Sequence, residues 1–300
     1  MKRYATVFNG RFVSEKKEEE LKLLIDKIKK KGVTPKLVSI LVGDDKASSL
    51  YLSLKQKAAD RVGAKVEIIK FDEDIKVKKI IKLIKKYNKN INVHGIMVQL
   101  PLPPNLRLNT YDIISAIIPE KDVDGMRGDS PFLTPVTKAV LLAIKDALNI
   151  VRRPLREAPL RVIDPPGSVT LKVVIVGYTG FEGTRIYRAL KDEGYQIEGA
   201  NLKTKNLGAK TIKADILISA TGVPGLISGE MVKRGAIVID VGAPKGDVIT
   251  NEIINKASFV SAVPGGIGPV TISSLLENLF EAAKSSLKKR TTPDTIRQTH

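Results

Sequence analysis

LVSILVGDDKASSLYLSLKQKAADRVGAKVEIIKF, residues 37–71, decides the fold. It opens on a largely apolar run, 37–42, of the length and branching of a strand buried on both faces. Gly43-Asp44-Asp45 then turns the chain. From 48 to 63 apolar residues recur at helical spacing (Leu50, Leu54, Ala58, Val62), and 65–71 reads as a second strand. Next comes a lysine-rich helix over 76–90. Its Val77, Ile80, Ile81, Ile84 and Tyr87 face inward, while Lys78, Lys79, Lys82, Lys85, Lys86 and Lys89 mostly face out. A third strand covers 95–100. Strand–helix–strand–helix–strand order means a parallel sheet with right-handed crossovers. Such sheets bind ligands at the carboxyl edge of their strands. Upstream, 12–31 reads as a helix with Ser14 as a candidate cap and Gly32 as its stop.

Ser48, Tyr51 and Lys55 fall on one stripe of the helix over 48–63. A hydroxyl, a phenol and an amine so arranged are, taken alone, an ordinary solvated face. Their position changes the reading. Lys55 follows the carboxyl end of one strand and Gln99 ends another, so the topology can bring the two together. Gln99 also opens QLPLPP, where prolines force the chain out of the sheet. Further on, Asp124-Gly125 reads as a turn, and Thr134-Pro135 as a hydroxyl cap and first-turn proline of a helix over 136–148. Residues 151–168, rich in Arg and Pro, read as a linker.

A second domain opens with a strand over 172–176 and a glycine-rich turn carrying Gly177, Gly180 and Gly183 before a helix. Backbone amides and a helix N-terminus in that position suit a pyrophosphate, although the spacing is not G-x-G-x-x-G. Further strands cover 196–202, 215–220 and 236–241, the last two ending in Thr221-Gly222 and Gly242-Ala243. Small residues there admit a nucleotide or simply make tight turns. Glu198 comes too early to be a carboxylate for ribose hydroxyls. Lys203, Lys205 and Arg185 are near enough in sequence to meet a 2′-phosphate, which leans toward NADP over NAD. A Pro/Gly loop, 263–269, leads into a helix from 271, and the end of the chain from 289 reads as a disordered basic tail.

The chain has 300 residues, enough for about two domains of roughly 100–200 residues each. No apolar run spans a bilayer and the opening MKRYATVFNGRF lacks a signal-peptide core, so the expected location is cytoplasmic, with no membrane partner. Cysteine is absent and histidines number two, which removes disulfides, thiolate chemistry and a histidine metal cluster; no metal is expected. A net charge of +18 attracts polyanions. No aromatic residues interleave with the basic runs, so nucleic acid is not expected as a partner.

LVGDDKASSLYLSLKQKA, GIMVQLPLPP, IPEKDVDG, VIDVG and VPGGIGPVT, in that order, resemble the bifunctional methylenetetrahydrofolate dehydrogenase/methenyltetrahydrofolate cyclohydrolase family. The resemblance implies two three-layer α/β domains with a cleft between them. The first is a folate-binding, catalytic domain over 1–133, rejoined by the helix over 271–290. A linking helix covers 134–150, and a Rossmann-type NAD(P)-binding domain 151–270. It implies that Lys55 is the essential lysine, Tyr51 the ring over the folate, Gln99 the partner of the lysine and Asp124 the carboxylate gripping the pterin. Ser48, Pro264, Gly265 and Gly266 would line the substrate pocket. Gly177, Tyr178, Thr179 and Ala243 would line the cofactor, beside Gly183, Thr221 and Gly222. Tyr178 and Thr179 stand where the family carries arginine and serine, and Leu202 where NADP users carry serine, so NAD stays open beside NADP. The implied activity is oxidation of 5,10-methylenetetrahydrofolate and hydrolysis of the methenyl product to 10-formyltetrahydrofolate, by a homodimer serving one-carbon metabolism and purine biosynthesis. The alternatives are a methanopterin-type carrier, a dehydrogenase without cyclohydrolase activity, and a basic polyanion-binding module.

Overall fold

Two parallel sheets organise the chain, and the computed structural model describes residues 4–156 and 171–291. In chain order the elements are β1 (Thr6–Val7), α1 (Gly10–Lys29), β2 (Lys36–Val42), α2 (Lys46–Val62), β3 (Lys65–Phe71), α3 (Val77–Lys89), β4 (Gly95–Val98), α4 (Thr110–Ser115) and α5 (Pro135–Arg156). There follow β5 (Lys172–Val176), α6 (Phe181–Asp192), β6 (Gln196–Ala200), α7 (Leu207–Thr211), β7 (Ile216–Ser219), β8 (Ile237–Asp240), α8 (Thr250–Ile253), β9 (Phe259–Ser261) and α9 (Ile267–Thr291). The chain divides into two compact units. One holds Glu15–Pro135 and α9 from Ile272 onward; the other holds the residues up to Ser14 and Val136–Thr271.

The first unit has a three-stranded sheet in the order β3-β2-β4, all parallel. Alternation along the strands divides its core. Leu37 and Met97 face α1, α2 and α9, meeting Ile25, Ala58, Ala59, Val62, Leu276 and Leu279. Val38, Ile40, Ile96 and Val98 face the other way, onto Ile80 and Ile84 of α3 and Ile113 of α4. β2 is central: the chain runs from it to β3 at one edge and then crosses to β4 at the other. The carboxyl end of β2 is therefore a switch point, where a crevice opens in such sheets.

The second unit has a six-stranded parallel sheet in the order β1-β9-β8-β7-β5-β6. Val173 and Ile175 pack with α5 and α6 on one face, and Val174 and Val176 pack with Val232, Val248 and Ile253 on the other. Each sheet lies between helical or irregular layers, as the α/β class requires.

Several expectations change. Residues 6–14 do not join the first sheet: β1 pairs with β9, placing them with the nucleotide-type unit. Strands of two and three residues are too short to show a period. Ser14 is not a cap; it lies inside α1, where its hydroxyl donates to the Pro269 carbonyl at 3.0 Å. Asn9 takes the capping role, accepting from the Phe12 amide at 3.1 Å. On α2 the inward residues are Leu52, Ala58, Ala59 and Val62, whereas Leu50 and Leu54 are 60% and 41% exposed. α5 continues to Arg156, beyond the expected 148, and buries Val140, Ala143, Ile144 and Ala147 in the six-stranded unit rather than standing apart as a link. Of the linker read over 151–168, residues 157–168 lie outside the described residues, as does the tail from 292; residues 289–291 belong to α9.

Ile84 is fully buried between α3 and the sheet. Ile84→Ala should lower unfolding free energy by about 2–5 kcal/mol, read from the midpoint of a urea titration with unchanged slope.

Candidate functional site

The switch point of the three-stranded sheet carries a lysine. Asp45 accepts from the Ser48 amide at 2.7 Å and so starts α2. That start turns Ser48 inward, where it is buried, and places Lys55 two turns later over the ends of β2 and β4. The Lys55 Nζ donates to Gln99 Oε1 at 3.1 Å and lies 3.7 Å from the Met97 sulfur. Gln99 is itself fixed. Its backbone amide donates to the Ile40 carbonyl at 2.8 Å and its Nε2 to the Leu100 carbonyl at 2.9 Å. The amide oxygen of Gln99 is thereby left facing the amine. Tyr51, one turn before Lys55, is half-buried.

Burial holds the Lys55 amine below the usual lysine value of 10.5, and the charge of Asp124 works against that shift. The two groups therefore feel one another, although 69 positions separate them in the numbering. Asp124 stands in a turn built by its neighbour. The buried Asp122 carboxylate accepts from the Met126 amide at 3.2 Å and from the Arg127 amide at 2.8 Å. Gly125 follows at φ 66°, where a Cβ would meet the Phe132 carbonyl oxygen at 2.8 Å. Asn278 on α9 donates to the carbonyls of Val123 and Leu133 at 2.9 and 3.0 Å. Met97, Asp122 and Asn278 escape a reading of the sequence. A carboxylate two residues before Asp124-Gly125 is the one signal that could have pointed to Asp122.

The six-stranded unit has its own switch point at β5, which lies between β6 and β7. A crevice of about 370 Å³ opens there, lined by Gly177, Thr179 and Gly180 after β5, Asn201, Leu202 and Lys203 after β6, and Ala220 and Thr221 after β7. Gly177 has φ 90°, and a Cβ on it would stand 2.3 Å from the Ala220 carbonyl oxygen. A Cβ on Gly183 would stand 2.0 Å from the Gly177 carbonyl oxygen, so α6 approaches the turn only because residue 183 has no side chain. Close-packed backbone at a helix N-terminus is a geometry that suits an anion.

The other nucleotide candidates divide. Gly183 sits behind the crevice wall and makes the close approach possible. The Tyr178 ring turns away, packing on Gly199 and lying 6.0 Å from the Tyr187 ring. Gly222 and Ala243 are exposed and do not line the crevice. Thr221 donates from both its amide and its hydroxyl to Asp247 Oδ2, at 2.7 and 2.8 Å, and so shapes the turn. Of the three candidate cations, Lys203 lines the crevice; the Arg185 guanidinium lies over the Phe181 ring at 3.4 Å, and Lys205 is exposed outside it. Glu198 pairs with Lys172 and Lys210 at 3.2 and 2.7 Å, which holds its carboxyl below the usual range and keeps it from a ribose. In the same unit Pro264 is exposed, Gly265 has φ 104° and Gly266 is buried against the Ala262 carbonyl, with α1 entering so closely that a Cβ on Gly10 would overlap the Gly266 oxygen. Among the described residues no group of three or more His, Cys, Asp or Glu could hold a metal, and no helix is long and apolar enough to cross a membrane.

A lysine drawn out of water at one parallel-sheet edge and a glycine cradle at another define the class of nucleotide-dependent α/β enzymes. The comparisons narrow it. The profile of the tetrahydrofolate dehydrogenase/cyclohydrolase catalytic domain matches residues 8–124, and that of its NAD(P)-binding domain matches residues 167–287. A bifunctional protein FolD of Nautilia profundicola is 36% identical over 294 residues, covering 95% of this chain and 99% of the relative. One from Bacillus subtilis is 35% identical over 299 residues, covering 94% and 99%. Among solved structures, the bifunctional FolD methylenetetrahydrofolate dehydrogenase/cyclohydrolase of Campylobacter jejuni matches with a TM-score of 0.83 and 34% identity, covering 94% of this chain and 99% of its own. The Trypanosoma brucei dehydrogenase-cyclohydrolase, solved with NADP cofactor and an inhibitor, matches at 0.82 and 28%, covering 95% and 99%. The chain belongs to the tetrahydrofolate dehydrogenase/cyclohydrolase family.

The Lys55 amine should titrate below 10.5, followed by NMR of ε-carbon-labelled lysine and assigned by its loss in Lys55→Met. Asp124→Asn removes a charge that favours the ammonium form, so the amine should then titrate lower still.

Proposed function

We propose that this chain oxidises 5,10-methylenetetrahydrofolate to the 5,10-methenyl cation with NADP, and hydrolyses that cation to 10-formyltetrahydrofolate, with Lys55 as the proton acceptor. The single observation that carries the residue assignment is the Lys55–Gln99 contact at 3.1 Å, with the amine held below its usual titration range by burial. Family membership supplies the reaction class.

A nicotinamide cofactor held by the Gly177–Gly183 turn would supply the hydride acceptor. In that first step the chain's own residues orient rather than react. Asp124 grips the amino-pterin end, Tyr51 covers the ring, and Ser48 supports the turn of α2 below it. Charge in the methenyl product is shared between two nitrogens, so correct placement supplies most of the gain. In the second step a water oxygen adds to the methenyl carbon and its proton passes to the neutral Lys55 amine. Opening of the ring C–N bond then leaves the formyl group on N10, with one proton released in all. An amine whose titration lies nearer neutrality is better suited to accept that proton. Gln99 offers an acceptor to the amine, and so holds its nitrogen in place.

NADP is the cofactor we assign over NAD. Its pyrophosphate fits the Gly177–Gly183 cradle, and Lys203 at the crevice edge serves the 2′-phosphate in place of the absent arginine and serine. Pro264, Gly265 and Gly266 are assigned to the folate side of the reaction, and the working protein is a cytoplasmic homodimer supplying formyl groups for purine biosynthesis.

Lys55→Met should abolish hydrolysis of methenyltetrahydrofolate, followed by loss of its absorbance. Retention of the full rate would remove Lys55 from the mechanism. Titrating NADP and NAD against methylenetetrahydrofolate should give reduced nicotinamide with NADP as the better substrate. Lys203→Ala should weaken NADP by roughly 10-fold and leave NAD nearly unchanged.

A further inference from the structure

Asp124 is held by a residue from the far end of the described chain. Its backbone lies at the neck of a loop, 123–133, whose two ends carry the carbonyls of Val123 and Leu133. One nitrogen of Asn278, on α9, donates to both, at 2.9 and 3.0 Å. Asn278 is 2% exposed, and the Val123 contact is in a fully buried setting. The Val123 carbonyl and the Asp124 amide belong to the same planar peptide unit. Fixing that oxygen therefore fixes the rotation of the plane, and with it the direction in which the Asp124 side chain leaves the backbone.

The other side of Asp124 is equally constrained. The Gly125 amide donates to the Asp122 carbonyl at 3.0 Å, and Gly125 packs so closely on 132–134 that a Cβ would meet the Phe132 oxygen and the Thr134 nitrogen at 2.8 Å each. The neck can thus close only with both carbonyls satisfied, since a buried unpaired carbonyl is costly. Asn278 alone spans them among the hydrogen bonds described at this neck. On α9 it stands among the apolar core residues Leu275, Leu276 and Leu279.

We propose that Asn278 is a positioning residue for the folate reactions, acting through Asp124 by locking the peptide that precedes it. This rests on the reading of Asp124 as a folate-gripping carboxylate. Asn278 touches no reacting atom; it sets the aim of a group that does. A misaim of about 1 Å costs on the order of 100-fold in rate.

The test is a double-mutant cycle on the folate kcat/KM of both reactions, in the full-length protein. Asn278→Ala should lower kcat/KM by roughly 10-fold to 100-fold in the parent, mainly through a higher folate KM, with the NADP KM unmoved. In the Asp124→Asn background it should cost little more, because the aim of the side chain no longer matters there. Leu276→Ala, a packing change on the same helix, should lower the melting temperature without moving the folate KM. Equal losses from Asn278→Ala in both backgrounds would overturn the positioning role while leaving the Asp124 reading intact. No loss from Asp124→Asn itself would overturn that reading and the inference with it. Asn278→Ser, which keeps one donor, carries the same cycle should the alanine variant not fold, with the same two outcomes deciding.

Discussion

An ammonium taken out of water must be compensated or neutralised, and Lys55 is held between those outcomes. Its amine has one fixed acceptor, the Gln99 oxygen at 3.1 Å, and a thioether at 3.7 Å that offers little to a charge. Burial is the larger influence and lowers the titration of the amine, while the charge of Asp124 opposes it. This balance requires three side chains from separate parts of the chain to be set within a narrow range. The parallel sheet supplies the first two directly. The helix after the central strand and the end of its neighbour meet at the switch point, whatever the surface residues are. The third comes from a loop, and a loop has to be held. Asp122, Gly125 and Asn278 hold it.

The nucleotide-type unit solves a different problem, that of bringing backbone close to a ligand. It does so by leaving atoms out. Gly177 and Gly183 let a strand end, a turn and a helix start converge at distances that any Cβ would prevent. Buried carboxylates then stiffen the neighbouring turns. Asp247 accepts from Ser219 and twice from Thr221, while Asp240 accepts from the amides of Gly242, Asp247 and Val248. Burial raises the Asp240 carboxyl above its usual range, and those three amides pull against it. Side chains that never face the crevice thus determine its outline.

Much of this was legible in the sequence because topology is a strong constraint. The strand and helix alternation placed Lys55 and Gln99 at one edge, and the structure brings them into contact. The face of α2 was less legible. Leu50 and Leu54 share the helical spacing of Ala58 and Val62 yet point outward, since the inner face is filled by the small Ala58 and Ala59 and by Leu52. β1 and β9, at two and three residues, carry no period to read. Tyr178 illustrates a further limit. The family resemblance implied a cofactor contact for it, and its ring packs on Gly199. Asn278 lay beyond any local reading, because its partners are main-chain oxygens 155 and 145 positions away, and a carbonyl has no sequence signature.

The passage of α9 back into the first unit has a consequence for how the protein is made. Leu275, Leu276, Leu279 and Phe280 complete the layer over Leu37 and Met97. A ribosome delivers β2, α2 and β4 well before it delivers that helix. During the interval the face that α1 and α2 cover in part lacks its α9 layer, an apolar surface suited to capture by a chaperone or by another nascent chain. Closure depends on contacts of long sequence separation, which form slowly. The loop bearing Asp124 gains its Asn278 clasp in the same event.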